Sequence, residues 1–377
     1  MSSVTVRSIE PIILRYPEPN DFNNMRMTVL VRLETSAGGV GWGEGIAMWP
    51  EACRATAAII ADGFAPLLAG HPVAAIGAAW TAMRRHAWWY GEGGIASFAH
   101  SAIDMALWAA YGQEVGRPLS ALLGGAVQTG LPANATMHVN KATLDENISE
   151  IAGHVAAGFR SVKLGLGKRG LARIGPDPES VIGFVTEVRR ALGPVPGIMV
   201  DIGNGFRWDP PTAIRVARAL EPLEVAWIEE PLYPTDIEGY RRLRAATRLP
   251  IASGEREWTV EGYKRLLATE TVDVFGIDPG RAQGVTGFQT VARLIEAAHR
   301  QVNAHAFSTA ITTAASLHLS AATTASRIFE IKPHPSPMQH ELVRVPIWHE
   351  AGVASPPTGP GLGIEVDERV IETYRVA

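Results

Sequence analysis

Polar residues close a series of short apolar segments in the second half of this chain, at intervals of roughly 25 residues. The segments include GIMVD, VAWIE and VDVFGID, and amphipathic patterns such as PTAIRVARALEP and VEGYKRLLATE lie between them. A short apolar run followed by apolar residues at helical spacing indicates a strand–helix unit, and repeated units form parallel strands with right-handed crossovers. The closing residues are Asp201, Glu229, Glu255, Asp278, His305 and Glu330. The chain is therefore predicted to be an α/β protein.

A repeat of this length, sustained over roughly 250 residues, is typical of a TIM-type barrel of parallel strands and outer helices. An open, doubly wound sheet is the alternative. Six ionisable residues at successive strand ends favour the barrel, because closure brings all the carboxyl ends of the strands around one site.

The first 125 residues have a different pattern. SVTVRSIEPIILRY and MTVLVRLETSAGGVGWGEG alternate like antiparallel strands, and the stretch from about residue 50 to 123 has helical periodicity. Strands followed by helices predict a small α+β domain over residues 1–125. We expect the barrel to span residues 126–345, and a tail rich in Pro and Gly, residues 346–377, to return to the N-terminal domain.

Bulk composition restricts the functional class. A formal net charge of −4 supplies no basic field for nucleic acid or an anionic membrane. The sequence has no apolar stretch long enough to span a bilayer and no secretory signal pattern in MSSVTVRSIEP. Cys53 is the only cysteine, so an intrachain disulfide is impossible. We expect a cytoplasmic protein with a small-molecule carboxylate as its partner.

Three of the strand-end carboxylates form a candidate metal site. Asp201, Glu229 and Glu255 would come from three adjacent strand ends, and Mg²⁺ prefers hard oxygen ligands of this kind. Three such carboxylates without a cation would force at least one to protonate. Lys163, on the preceding strand, can offset the remaining negative charge. A single carboxylate after a strand is more simply interpreted as a helix N-cap or a surface charge. Together they predict one Mg²⁺ that holds the substrate carboxylate.

Asp278 and His305, at the next two strand ends, form a candidate base. A carboxylate bonded to one imidazole nitrogen fixes the tautomer and raises the basicity of the other nitrogen. A histidine that is satisfied within the core is the alternative for His305. His138, near the end of the first barrel strand, could also contact substrate, although a structural role is the simpler interpretation there.

The order of these residues resembles the mandelate racemase subgroup of the enolase superfamily. The resemblance extends to GVGWGEG, AIDMALW and PGLGIEVDE. It implies a modified (β/α)₇β barrel whose mouth is covered by an N-terminal capping domain, completed by the C-terminal tail. It also implies abstraction of the proton α to a Mg²⁺-bound carboxylate to give an ene-diolate. A homo-oligomer, from dimer to octamer, is the corresponding expectation for assembly.

The resemblance assigns roles to three further positions. Lys163 aligns with a lysine whose role is electrostatic and which contacts the substrate. Glu330 aligns with a residue that faces the substrate carboxylate, and a structural ion pair is its alternative. Trp49, with the loop from Tyr16 to Arg26, lies where capping-domain loops would approach the substrate, and an ordinary surface turn is the alternative.

The departures from the family pattern bear on the reaction. Gly165 stands where the second lysine of Lys-x-Lys would supply a base opposite the histidine, and Gly203 stands where Asn is expected. Lys168 and Arg169 could reach into the gap at Gly165, although a solvated basic loop is the alternative. With one evident base, a hydro-lyase is favoured, which would convert an aldonate or aldarate to a 2-keto-3-deoxy acid. A racemase, epimerase or cycloisomerase is the second hypothesis, and a non-catalytic metal-binding relative is the third.

Overall fold

The N-terminal part of the computed structural model, which describes residues 4–166, 174–203 and 207–376, is an antiparallel sheet covered by helices. The strands pair in chain order and are β1 (Val6–Glu18), β2 (Asn24–Thr35) and β3 (Val40–Met48). The helices are α1 (Pro50–Ala58), α2 (Ala65–Leu68), α3 (Ile76–Ala87), α4 (Ile95–Val115) and α5 (Leu119–Leu122). Side chains at Gly41 or Gly43 would overlap backbone carbonyls of α4, so the GVGWGEG segment allows α4 to pack directly on β3.

Eight parallel strands form the curved sheet of a barrel, in the order β10-β9-β8-β7-β6-β5-β4, with β11 also paired to β4. They are β4 (Leu131–His138), β5 (Ser161–Gly165), β6 (Gly197–Asp201), β7 (Trp227–Glu229), β8 (Ile251–Ser253), β9 (Val274–Ile277), β10 (Gln301–Ala304) and β11 (Phe329–Ile331). A bridge between Val302 and Ser326 joins β10 to the segment that leads into β11. Almost every residue of these strands is buried, as expected for parallel strands covered on both faces.

One helix follows each of the first seven barrel strands. They are α6 (Leu144–Ala156), α7 (Pro178–Leu192), α8 (Pro210–Leu220), α9 (Ile237–Ala246), α10 (Val260–Leu267), α11 (Gly284–Ala297) and α12 (Ala310–Ala321). Asp or Thr side chains cap most of their N-termini, for example Asp177 on α7 and Asp209 on α8. The predicted modified TIM barrel with an N-terminal capping domain is confirmed.

The C-terminal segment contacts both parts of the molecule. It contains β12 (His349–Glu350), β13 (Val353–Ala354) and α13 (Glu368–Tyr374). Strand β13 pairs with the start of β4, and Arg375 then forms a bridge with Leu14 of β1. No helix among the described residues is long and apolar enough to cross a membrane.

A shared hydrophobic core fixes the capping domain on the barrel. Leu14 and Tyr16 of β1 belong to the same cluster of buried residues as Phe275 of β9 and Phe288 of α11. Burial of large apolar side chains from both sides stabilises the contact by roughly 1.5–3 kcal/mol for each fully buried side chain. The loops of the capping domain are therefore held over the carboxyl ends of the barrel strands.

Candidate active site at the barrel mouth

The strand-end residues meet because the parallel strands are in register. Gly165 of β5 pairs with Asp201 of β6, and Asp201 pairs with Glu229 of β7. Asp278 and His305 follow the last residues of β9 and β10. All of these residues lie at the carboxyl ends of the strands, which is the end of a TIM barrel that carries active sites.

A cavity of about 270 Å³, here called the mouth cavity, lies between the barrel and the capping domain. Its size is at the small end of the range for ligand pockets, so it suits a small substrate. Glu229 is not among the residues that line it but contacts Lys163, which does, and Trp49 borders the cavity while 67% exposed. The other predicted site residues also line the cavity and are Lys163, Asp201, Glu255, Asp278, His305 and Glu330.

Lys163 is the central cation of the site. Its Nζ lies 2.8 Å from Glu330 Oε1, 3.1 Å from Glu229 Oε2 and 3.8 Å from Asp201 Oδ2. Burial opposes the charged amine, but the surrounding carboxylates outweigh burial and raise the pKa of Lys163 well above its usual value. Glu330 also accepts a hydrogen bond of 2.5 Å from Asn303 Nδ2. Lys163 is therefore a permanently charged group at the floor of the mouth cavity.

The carboxylates around Lys163 carry more negative charge than it can neutralise. Burial, together with the charges of Asp201, Glu255 and Glu330, raises the pKa of Glu229 to about 8, and burial is also the main cause of the raised pKa of Asp201. A donor set of three carboxylate side chains that disfavours its own ionisation is stabilised by a further cation. By donor type, Asp201, Glu229 and Glu255 would suit a hard divalent ion such as Mg²⁺.

Arg256 and His305 hold the third of these carboxylates. Burial alone would raise the pKa of Glu255, but His305 and the adjoining Arg256 outweigh burial and lower the pKa to about 2. The Arg256 guanidinium forms an ion pair with Glu255 and a second one, at 3.0 Å, with Glu230. Sequence reasoning missed Arg256 and Glu230 as site residues, although each directly follows a predicted ligand along the chain.

His305 contacts a different carboxylate through each ring nitrogen. Nδ1 lies 2.6 Å from Asp278 Oδ2, and Nε2 lies 3.6 Å from Glu255 Oε2. Burial disfavours the imidazolium, but Glu255 and the hydrogen bond to Asp278 outweigh burial and raise the pKa of His305 to about 9. The imidazole borders the mouth cavity, so Nε2 has access to a bound molecule while Asp278 orients the ring.

The residue after Ile202 has a local structural reason to be glycine. The Gly203 amide donates a 2.8 Å hydrogen bond to Asp201 Oδ1, and a side chain at 203 would come within 3.1 Å of that oxygen and of Glu230 Oε2. Glu230 therefore occupies the neighbourhood where Asn was expected from the family pattern. Lys168 and Arg169 lie outside the described residues.

The capping domain contributes one wall of the mouth cavity. Arg26 lines it and forms an ion pair of 3.2 Å with Asp21. Phe307 lies beneath Arg26, 5.6 Å from the guanidinium, and Ser308 also borders the cavity. The sequence had singled out Arg26 as part of a loop, whereas the structure places it in β2, paired with Tyr16 of β1. Phe307 and Ser308 had only one signal, their position shortly after His305.

Two buried carboxylates join the capping domain to the barrel behind this wall. Glu18 Oε2 lies 2.7 Å from Lys332 Nζ, and both side chains are fully buried. Glu44 accepts hydrogen bonds from hydroxyl groups of the segment between β10 and α12, including those of Ser308 and Thr309. These contacts fix the capping-domain strands beside the loop that carries His305.

A second group of possible metal ligands lies outside the mouth cavity, and among the described residues it is this group, rather than Asp201, Glu229 and Glu255, whose ligand atoms all converge. The ligand atoms of Glu150, His154 and His334 lie within 4.8 Å of one another. Glu150 is 3.0 Å from Lys141 Nζ and 2.7 Å from His334 Nε2. The other nitrogen of His334 lies 2.7 Å from an oxygen of Asn20 in the capping domain. This group is an ion-paired contact between domains.

Two family models match the chain. Residues 20–124 match the mandelate racemase / muconate lactonizing enzyme N-terminal domain, and residues 147–370 match the enolase C-terminal domain-like model. Together the two models span both parts of the fold described above.

Individual proteins resemble the chain over nearly its whole length. It is 29% identical to D-galactarolactone cycloisomerase of Agrobacterium fabrum, with 93% of this chain and 92% of that protein covered. It is 30% identical to D-gluconate dehydratase of Thermoproteus tenax, with 98% of this chain and 74% of that protein covered. A mandelate racemase/muconate lactonizing protein from Paracoccus denitrificans, solved in complex with magnesium, superposes with a TM-score of 0.88 at 28% identity, with 99% and 97% of the two chains covered.

Proposed function

The chain is an enzyme of the enolase superfamily, in its mandelate racemase subgroup, and we propose that it is a Mg²⁺-dependent dehydratase of an acid sugar. The substrate is an aldonate or aldarate, and the product is the 2-keto-3-deoxy acid. His305 removes the proton α to the carboxylate, and the β-hydroxyl then leaves.

One observation carries this proposal. His305 Nδ1 lies 2.6 Å from Asp278, Nε2 lies 3.6 Å from Glu255, and the imidazole borders the mouth cavity. In the neutral imidazole, a hydrogen bond from Nδ1 to a carboxylate places the lone pair on Nε2, the atom that accepts a proton. The charge of Glu255 is the largest cause of the raised pKa of His305, so a cation held by Glu255 would favour this neutral form. His305 is thus an oriented base beside a cluster of buried charges, as removal of a weakly acidic proton requires.

The metal-binding part of the proposal rests on Asp201, Glu229 and Glu255. Their carboxylate oxygens are the ligand type that Mg²⁺ prefers, and the raised pKa of Glu229 indicates that a further cation is favourable there. When bound, Mg²⁺ supplies a Lewis acid for the oxygens of a substrate carboxylate.

Lys163 and Glu330 complete the carboxylate-binding end of the mouth cavity. The ammonium group of Lys163 lies within 3.8 Å of three carboxylates and remains charged, so it attracts the negative charge that develops when the α proton is removed. While Lys163 is protonated, its nitrogen has no lone pair with which to accept a proton. We therefore assign Lys163 an electrostatic role and His305 the role of base.

The names of the relatives and the lining of the cavity support this class of substrate. Two similar proteins are named for reactions of six-carbon sugar acids, a gluconate dehydratase and a galactarolactone cycloisomerase. The mouth cavity is small, and its lining combines charged and hydroxyl-bearing side chains such as Arg26 and Ser308 with apolar ones such as Ile46, Met137 and Phe307. The charged and hydroxyl groups could supply hydrogen-bonding partners for the hydroxyl groups of a polyhydroxy acid.

A cycloisomerase is the second candidate, favoured by the similarity to the Agrobacterium fabrum enzyme over 93% of this chain. Removal of the same α proton can lead to isomerisation when a ring oxygen departs within the substrate and no water is released. The two candidates share the roles of His305 and the carboxylate cluster, and they differ in the product.

A screen of stereodefined aldonates, aldarates and their lactones with Mg²⁺ tests the proposal. Nuclear magnetic resonance of the reaction mixture distinguishes a 2-keto-3-deoxy acid from an isomer of unchanged mass. Formation of the 2-keto acid from at least one aldonate or aldarate, lost on chelation of the metal, is the expected result. Turnover only of lactones or epimers, without loss of water, would replace the dehydratase by the isomerase.

A further inference from the structure

The position opposite His305 that lacks the family lysine is filled by another side chain. A Cβ atom on Gly165 would lie 2.6 Å from His138 Nδ1 and 3.3 Å from His138 Cε1, closer than side chains normally approach. His138 and Gly165 are partners in the ladder between β4 and β5. The imidazole of His138 therefore takes the space that a side chain at residue 165 would need.

His138 faces the mouth cavity together with its neighbours on the two strands. Side chains two residues apart on a strand point to the same side, and Thr136 and His138 on β4, like Lys163 and Gly165 on β5, all line the cavity. Gly165 is also the ladder partner of the proposed metal ligand Asp201. The His138 ring thus lies at the active end of the barrel, with Gly165 between its strand position and that of Asp201.

Phe307 contacts both histidines that border the cavity. Its ring centroid lies 5.4 Å from that of His138, edge to face, and 6.4 Å from that of His305. His138 comes from the end of β4 and His305 from the end of β10, on either side of β11. Two imidazoles from separate strands therefore border one small cavity, with an aromatic ring packed against both.

We propose that His138 is a second catalytic residue, which donates a proton to the departing β-hydroxyl, and that Gly165 is required to make room for its ring. This inference rests on the proposed dehydratase function. It changes the interpretation of Gly165, because the glycine no longer marks a missing group but accommodates a replacement from the neighbouring strand.

In the proposed elimination, His305 and His138 each move one proton. The bond between the α carbon and its hydrogen breaks, His305 takes the proton, and the electron pair forms the α–β double bond. The bond between the β carbon and its hydroxyl breaks, and the hydroxyl leaves as water with the proton from His138. The enol gains a proton at the β carbon and loses one from the α oxygen, so the net change is the loss of one water molecule. Solvent restores both histidines.

Separate residues for the two proton transfers lead to a specific expectation in D₂O. In His138→Asn, His305 still removes the α proton, but departure of the hydroxyl is slow. The intermediate then returns to substrate carrying deuterium from the solvent. We expect kcat for dehydration to fall by about 100-fold or more, while deuterium accumulates at the α carbon of recovered substrate, and Mg²⁺ affinity and melting temperature stay unchanged.

Gly165→Ala tests the role of His138 while leaving the imidazole itself in place, because the added Cβ must displace the His138 ring. We expect a similar fall in kcat in the wild-type background and little further loss when Gly165→Ala is combined with His138→Asn. This arm remains informative if His138 variants fold poorly. His299→Asn, at an exposed position with positive φ that Asn tolerates, is the matched control and should behave as the wild type.

Three outcomes decide the matter. Dehydration within about twofold of wild type in His138→Asn, without α-deuteration of substrate, overturns the inference and leaves the dehydratase assignment intact. Loss of dehydration with α-deuteration supports it, since a purely structural role would impair proton removal as well. If the wild-type enzyme only isomerises its substrates, the dehydratase assignment fails, and the assignment of His138 to the leaving hydroxyl fails with it.

Discussion

His305 Nδ1 and Asp278 Oδ2 lie 2.6 Å apart at the ends of neighbouring strands, β10 and β9. Asp278 is almost fully buried, so its carboxylate has a fixed position from which it orients the imidazole. Replacement by Asn removes the negative charge and lets the ring adopt the other tautomer. We expect Asp278→Asn to lower kcat by about 100-fold or more, with Mg²⁺ affinity unchanged.

Steady-state kinetics and calorimetric titration with Mg²⁺ measure the two quantities. Asp62→Asn makes the same substitution at an exposed position of the capping domain, away from the mouth cavity, and is the control. We expect it to leave both quantities unchanged. Full activity in Asp278→Asn would mean that His305 is oriented by other contacts.

The candidate metal site leads to a second prediction. Asp201→Asn removes one of three carboxylates that would coordinate Mg²⁺, and we expect the affinity for the ion to fall by at least about tenfold, corresponding to 1.4 kcal/mol. Isothermal titration calorimetry with MgCl₂ measures this directly. Glu150→Gln, in the second group of potential ligands, should leave Mg²⁺ binding unchanged. If Glu150→Gln weakened Mg²⁺ binding and Asp201→Asn did not, the metal would have to be assigned to the group of Glu150, His154 and His334.

The buried pair of Glu18 and Lys332 predicts a large effect on stability. Both side chains are fully buried and 2.7 Å apart, so Glu18→Gln leaves an ammonium group inside the protein without its counter-charge. We expect the free energy of unfolding to fall by about 3–5 kcal/mol. Urea denaturation measures it. Glu365→Gln, in an exposed pair with Arg344 at 3.1 Å, should cost less than about 1 kcal/mol. Equal losses of stability in the two variants would contradict a larger contribution from the buried pair of Glu18 and Lys332.

Asp104 gives the protein a pH-dependent stability that is unrelated to catalysis. It is buried in α4, and burial raises the pKa of Asp104 from 3.8 to about 7, against the hydrogen bonds that it accepts from Thr286. The folded protein therefore binds this proton more tightly than the unfolded chain does. The associated stability is present below about pH 4 and is lost as the pH rises to about 7.

Urea denaturation at pH 5 and pH 8 tests this sign. We expect the free energy of unfolding of the wild type to fall between these values by about 2 kcal/mol more than that of Asp104→Asn. A wild-type protein that gains stability relative to the variant over the same range would contradict the raised pKa.

The sequence predicted the fold class and the location of the site because each depends on a local pattern. Alternation of strands and helices indicates parallel strands, and the carboxyl ends of parallel strands meet, so Asp201, Asp278 and His305 could be assigned to one place. The packing between the glycine motif GVGWGEG and α4 gave no such signal. Their direct packing depends on contacts between segments some 60 residues apart, such as Gly43 with Ala102.

The groups that complete the site were less accessible from sequence. The glycine at residue 165 was interpreted as a loss, whereas the structure shows the His138 imidazole in the adjoining space. Whether a side chain from one strand crosses over its neighbour depends on rotamers and on packing against Phe307, which no pattern along the chain reports. Arg256 was missed for the same reason, because its partner Glu230 lies on another strand end.

The most direct test of the proposed function compares the wild type with His305→Asn in D₂O, with Mg²⁺ and an acid sugar that the wild type dehydrates. Nuclear magnetic resonance follows both the 2-keto product and deuterium at the α carbon of the remaining substrate. We predict that His305→Asn binds Mg²⁺ with wild-type affinity yet shows neither product nor α-deuteration. Dehydration by this variant at the wild-type rate would contradict the assignment of His305 as the base.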